Sequence, residues 1–145
     1  MEARVRYKKP SAVRELEALA MEAVKERYPG LPYPCPRKFR DDTSNGLTSC
    51  ICQYIKLQGG FAVRINSQGQ YDPRLGKWRH SGQRRGLPDI QAVFNGQPIF
   101  IEVKIKKDKL SEYQTKVRDE LIKSGAMYFV ARNFSDFQVW FDDIK

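Results

Sequence analysis

Gly86-Leu87-Pro88-Asp89-Ile90-Gln91-Ala92-Val93-Phe94-Asn95-Gly96-Gln97-Pro98-Ile99-Phe100-Ile101-Glu102-Val103-Lys104 is the stretch whose reading decides the fold. Two apolar, β-branched runs, Ile90–Phe94 and Ile99–Lys104, flank a connection that contains Asn-Gly, the strongest short-range hairpin signal. With Asn95–Pro98 as a four-residue loop, Phe94 stands opposite Ile99 and Asp89 opposite Lys104. Side chains alternate between the faces of a strand. Ile90, Ala92, Phe94, Ile99, Ile101 and Val103 then form a core surface, and Asp89, Gln91, Val93, Phe100, Glu102 and Lys104 the opposite one. Glu102 and Lys104 share a face whatever the loop length. The pairing of Asp89 depends on register, because a one-residue slip moves every side chain of a strand to the other face.

Two carboxylates and an ammonium at the open end of one face have two readings. Converging carboxylates bind hard divalent cations such as magnesium, with water filling the remaining positions. A bound cation lowers the pKa of its water and stabilises charge on a phosphoryl oxygen; a lysine beside it holds the attacking water or offsets the growing negative charge. As a cross-strand charge pair on a solvated face, the same residues contribute only a few tenths to about 1 kcal/mol. The hairpin context and the basic surroundings favour the first reading.

The chain has 145 residues, long enough for one domain with a real core. Its net charge of +9 and pI of about 9.6 imply an anionic partner. Nucleic acid is expected before membrane, since no long apolar run or lipidation motif appears. Met1-Glu2-Ala3-Arg4 lacks an apolar signal core, which places the chain in the cytoplasm as an expectation. The three cysteines, Cys35, Cys50 and Cys52, lack C-x-x-C spacing, which argues against a disulfide framework or a zinc site. With His80 the single histidine, carboxylates must carry any metal.

Outward from the hairpin, the pattern is helical first. Val13, Leu16, Leu19, Ala20, Ala23 and Val24 recur at helical spacing behind Ser11 as N-cap, predicting a helix from about Ser11 to Arg27. Its stripe packs on the domain or on a second copy. Pro29, Pro32, Pro34 and Pro36 make 28–41 an extended linker or wrapping segment. A second helix runs from about Thr43 to Gln58, capped by Asp42 or Thr43 and ended by Gly59-Gly60. Phe61–Asn66 reads as a strand. The segment from Arg74 to Arg85 carries Arg74, Lys77, Arg79, Arg84 and Arg85 with Trp78 interleaved and no acidic residue between them. It is expected to be a basic loop or ribbon that grips phosphates, with Trp78 free to stack or wedge, rather than a solvated loop with Trp78 tucked into the core. Lys106, Lys107 and Lys109 form a second basic cluster after the hairpin.

Ser111-Glu112-Tyr113-Gln114 opens a third helix with a capping-box signature, ended by Gly125. Gln114 is thereby explained as a cap residue, although it also follows the Glu102–Lys104 strand closely enough to reach a metal's water shell. Ala126–Ala131 is apolar without alternation, predicting a strand buried on both faces and parallel to its neighbour. Ser135–Phe141 reads as a short helix in which Phe137, Trp140 and Phe141 seal the sheet edge. The expected organisation is an N-terminal helix and proline-rich extension over 1–40 and a main domain over 41–145.

The order helix, strand, hairpin, helix, strand, with Pro88-Asp89, a gap of twelve residues and Glu102-Val103-Lys104, resembles the PD-(D/E)XK nuclease superfamily. With Gly86-Leu87-Pro88-Asp89 before it and Leu110-Ser111-Glu112-Tyr113-Gln114 after it, the stretch is similar to the virus-type replication-repair nuclease (VRR-NUC) family, over roughly residues 40–132. The resemblance implies a restriction-endonuclease-like core: a mixed central sheet flanked by helices, here with an extra N-terminal helix. It implies a magnesium- or manganese-dependent DNA nuclease with Asp89, Glu102 and the Val103 backbone carbonyl as metal ligands. Lys104 would act on the attacking water or the transition state, with Gln114 beside the site. The family's glutamate near the start of the helix before the first core strand is absent from Asp41-Asp42-Thr43-Ser44-Asn45, so Asn45 or Asp42 takes its place. Fewer carboxylates mean weaker binding of a second cation.

Small members of the family resemble Holliday-junction resolvases that act as dimers; larger ones cut flaps as monomers. The first expectation is therefore a DNA endonuclease of a bacterium or its virus, acting on branched DNA in replication, recombination or repair, with a homodimer in view. Its DNA contacts are Arg74, Lys77, Trp78, Arg79, Arg84, Arg85, Lys106 and Lys107. The alternative is a catalytically weak or inactive DNA-binding module with a nuclease fold, and a third is an RNA-binding protein.

Overall fold

In the computed structural model, which describes residues 5–66 and 69–145, the central hairpin is tighter than its sequence suggests. Strands β4 (Ile90–Phe94) and β5 (Gln97–Val103) are joined by Asn95 and Gly96 alone. Both take positive φ, 48° and 76°, as a two-residue primed turn requires. Phe94 pairs with Gln97, Ala92 with Ile99 and Ile90 with Ile101. The expected four-residue loop is corrected: Gln97 and Pro98 belong to the strand. Pro98 is tolerated because β5 gains its second neighbour only from Ile99 onward, so no ladder donor is missed there. The shift is of two residues, so each side chain keeps its predicted face while its partner changes. Asp89 now stands across from Glu102, where Lys104 was expected.

Two further strands complete the sheet. β1 (Phe61–Arg64) pairs antiparallel with β4, and β6 (Met127–Ala131) pairs parallel with β5, giving the order β1-β4-β5-β6. β6 is half-buried along most of its length. The expectation of full burial on both faces fails because β6 is an edge strand. Its parallel direction is as predicted, since helix α3 (Glu112–Lys123) carries the chain back between β5 and β6.

The sheet's apolar face is covered by α2 (Ser44–Leu57) and α4 (Phe134–Ile144), with α1 (Ser11–Arg27) packed on these two helices. Ile90, Ala92, Ile99, Ile101 and Val103 meet Leu47, Ile51 and Ile55 of α2, Val13 and Leu16 of α1, and Phe134, Phe137 and Phe141 of α4 in one buried cluster. Val13, Leu16 and Ala20 of the α1 stripe are therefore packed on the chain's own core. Pro10, with no side-chain bond, stands at the N-cap position expected of Ser11, while Thr43 caps α2 by accepting the Gly46 N–H. The proline segment is exposed over most of its length. It is anchored at its end by buried Phe39, whose N–H bonds Glu17, and by buried Asp41, which accepts from the Tyr7 hydroxyl and the Phe134 N–H. The last helix is longer than predicted. Its rings cover the apolar face, with Phe141 4.9 Å from Phe94 and Trp140 stacked at 4.5 Å on Phe129.

The segment 70–79 forms a separate ribbon of β2 (Gln70–Asp72) and β3 (Lys77–Arg79). Among the described residues it packs on no other helix or strand, and no helix is long and apolar enough to cross a membrane. Met1–Arg4, read above for a signal core, lies outside the described residues.

Candidate active site

Asp89 ends the run into β4. Its carbonyl accepts the Ile65 N–H at 2.8 Å, continuing the β1–β4 ladder, and its carboxylate oxygen Oδ2 accepts the Val103 N–H at 2.8 Å. The side chain thus binds the β5 backbone just past the last paired residues of the hairpin, and is pinned beside the Val103 peptide. Across from it, Glu102 projects from β5 and is only 2% exposed. Lys104, two residues on, shares that face; its ammonium lies 3.3 Å from Glu102 Oε1, and its own N–H bonds the Ala131 carbonyl of β6.

Gln114 caps α3 and also reaches Glu102. Its backbone N–H donates to the Ser111 hydroxyl and its side-chain oxygen accepts the Ser111 N–H, completing the capping box of α3. The other end of the same amide, Nε2, donates to Glu102 Oε1 at 2.7 Å. A cap residue has been aimed so that its spare donor reaches the carboxylate.

Glu102 Oε1 therefore has two partners, whereas Oε2 is buried and has none. Burial first, and then the negative charge of Asp89, push the Glu102 carboxyl up to about 7, against the opposing pull of Lys104. Leaving a buried charge-bearing oxygen unpaired is costly. Oε2 is where a hard cation would restore what burial removes, and the oxygen-only donor set of two acids and a backbone carbonyl suits Mg2+ or Mn2+. Among the described residues no group of three or more His, Cys, Asp or Glu gathers in metal-binding fashion, so the acid pair is the whole carboxylate complement.

The segment offered in place of the missing glutamate is engaged elsewhere. Asp41 is buried in the N-terminal anchor, Asp42 pairs with Arg40, and Asn45 Oδ1 accepts from Arg64 at 2.7 Å, a bond with which a cation at that oxygen would compete.

The basic residues fall into two groups. On the ribbon, Trp78 is 70% exposed and meets Tyr71 edge-on at 5.7 Å, so it is not tucked into the core. Arg79 and Arg74 approach Asp72 at 3.1 and 3.7 Å, and Lys77 is exposed. On the loop leading to Asp89, Arg84 makes a two-pronged pair with Glu120 of α3, and Arg85 lies over the Tyr113 ring at 5.7 Å. Lys106 and Lys107 are exposed just beyond β5. Two features escaped the sequence reading. Asp72 and Glu120 lie outside the acid-free run yet face it in space. Gly86, at φ +83°, presses on the Tyr113–Gln114 peptide, where a Cβ would come within 2.5 Å of backbone. That glycine lets the loop before Asp89 lie directly on the first turn of α3.

With this geometry in view, the comparison with family models decides the kinship: the VRR-NUC domain matches residues 15–135. The chain belongs to the VRR-NUC family. The match covers most of the chain and reaches back into α1, beyond the region that carries the resemblance in the sequence. A comparison with curated proteins returned no match. VRR-NUC membership points to a nuclease acting on DNA.

Proposed function

We propose that this VRR-NUC domain is a divalent-cation-dependent DNA endonuclease, with β1, β4, β5, β6, α2 and α3 as its restriction-endonuclease-like core. The observation that carries the reading is the facing acid pair, in which sealed Glu102 keeps one oxygen without a hydrogen-bond partner. Asp89, Glu102 Oε2 and the Val103 carbonyl would hold one Mg2+ or Mn2+. When bound, the cation supplies neutralisation of the phosphoryl oxygens and a more acidic water.

The protein's own groups do the rest. Gln114 and Lys104 hold Glu102 Oε1 and so set the rotation of its carboxylate. The Val103 N–H does the same for Asp89. Lys104, half-buried beside the pair, orients the attacking water or offsets charge on the phosphate as the bond breaks. The ribbon and Arg84, Arg85, Lys106 and Lys107 supply cations along the DNA backbone; salt-screened surface pairs such as Arg84–Glu120 exchange readily for phosphate. An exposed tryptophan on a free-standing ribbon suits branched DNA, where bases at the branch are open to stacking.

A second reading, a DNA-binding module without cleavage, is favoured by one observation: Asn45, the substitute for the family's glutamate, is bonded to Arg64. Purified protein incubated with junction, flap, splayed and duplex DNAs in Mg2+ or in EDTA separates the two. Mapped cuts on branched DNA that need Mg2+ and vanish in Asp89→Asn support the nuclease. Binding without cutting in every divalent cation supports the module.

A further inference from the structure

Two side-chain atoms among the described residues are buried without a hydrogen-bond partner: Glu102 Oε2 and the Tyr128 hydroxyl. They belong together. In the parallel ladder Phe100 pairs with Tyr128 and Glu102 with Val130, so Tyr128 lies on the face of Glu102, one diagonal step away, within reach of an aromatic side chain. Their proximity also shows electrostatically: the Tyr128 phenol is pushed up by burial and then by the negative charge of Glu102, with Arg118 opposing. Packing does not explain the hydroxyl. Phenylalanine would fill the same space on an otherwise apolar strand, Met127–Ala131, without burying an unpaired donor.

We infer that Tyr128 is a positioning residue for the acid pair: its hydroxyl closes on Glu102 Oε2 when a divalent cation binds, and orients that oxygen toward the ion. This rests on the metal-dependent reading above. The two atoms share no hydrogen bond in the structure; with the cation bound, the carboxylate would have a donor on each oxygen, Gln114 on Oε1 and Tyr128 on Oε2, leaving the other lone pair of Oε2 for the ion. Outer donors of this kind typically carry about ten- to a hundredfold in metal affinity.

The test uses the full chain and Mn2+ as probe, read by electron paramagnetic resonance without DNA, beside thermal melts in EDTA. Tyr128→Phe is expected to melt at or above the wild-type temperature yet bind Mn2+ about tenfold more weakly. Its cleavage should half-saturate at correspondingly higher Mn2+, with the rate at saturating metal kept. Unchanged Mn2+ affinity overturns the role, and so does a clear fall in melting temperature, which would mark Tyr128 as packing. Asp89→Asn keeps the two ideas apart. If Asp89→Asn loses Mn2+ and Tyr128→Phe does not, only the role of Tyr128 falls; if the wild type binds no Mn2+, the metal reading falls and this inference with it.

Discussion

The two faces of β5 lie on one strand and are both nearly dry, yet they are built for different ends. On one face Ile99, Ile101 and Val103 meet the rings of α4 and the aliphatic side chains of α2, and every group is satisfied by contact with hydrocarbon. On the other, Phe100, Glu102 and Lys104 alternate with them, and a carboxyl is buried as deeply as an isoleucine while one of its oxygens has no partner. A core is stable because nothing in it asks for more. The opposite face keeps an unmet demand, and that difference is what makes it the candidate site.

The sharpest way to break the comparison is to damage each face separately. Asp89→Asn removes a charge from the polar face and nothing from the core. Cleavage should fall by about a thousandfold or more, as when a key electrostatic group is lost, with no drop in melting temperature at pH 8. Retained cutting in Mg2+ would remove Asp89 from the site. Phe141→Ala does the reverse. It opens a cavity among Tyr54, Phe94 and Phe137 and should cost about 3–5 kcal/mol in urea unfolding, while protein still folded at low urea cuts at a near-normal rate.

Acidity distinguishes the faces further. With the Glu102 carboxyl near 7 in the folded protein and 4.5 ordinarily, the native state holds a proton that the unfolded chain has lost. The stability this represents is present in full below about pH 4.5, declines as pH rises toward 7 and is gone above it. In EDTA the decline should total roughly 3 kcal/mol, at about 1.4 kcal/mol per pH unit. Glu102→Gln should flatten that part of the profile; an unchanged slope would mean that another group titrates there.

Smaller changes sharpen the boundary between site and scaffold. Gln114→Ala removes the side-chain half of the α3 capping box and the Glu102 donor. It should cost about 1 kcal/mol in stability and about tenfold in cleavage, whereas Ser111→Ala should cost the stability alone. Glu120→Gln frees the Arg84 guanidinium on the surface. DNA binding should tighten by about two- to fivefold at low salt with a steeper salt dependence, and a loss of affinity would show instead that Glu120 holds Arg84 in place for DNA.

Much of this was readable from the chain. The faces of the hairpin followed from period-2 alternation, and an even shift in register left them intact. The Asp89–Glu102 opposition was not readable, because it depended on whether Asn95-Gly96 turned the chain alone or with Gln97-Pro98; proline looked like loop, yet it tolerates a position where β5 has no second neighbour. The cap role of Gln114 and its closeness to the Glu102–Lys104 strand were legible because both are short-range facts, while its bond to Glu102 itself was not. Tyr128 and Glu120 were hidden, since a parallel crossover and a loop–helix contact bring together residues whose sequence neighbours say nothing of each other. The burial of β6 was overread: an unbroken apolar run does not distinguish a central strand from an edge strand held between helices.

The ribbon of β2 and β3 stands apart from every other helix and strand described, while Asp89, Glu102, Lys104 and Gln114 all come from one short continuous stretch of chain. On the proposed reading, the ribbon's share of the grip on DNA would be separable from the cutting. A lineage could lengthen, shorten or replace the ribbon and thereby acquire a taste for a different DNA shape, with the chemistry left untouched a few residues downstream.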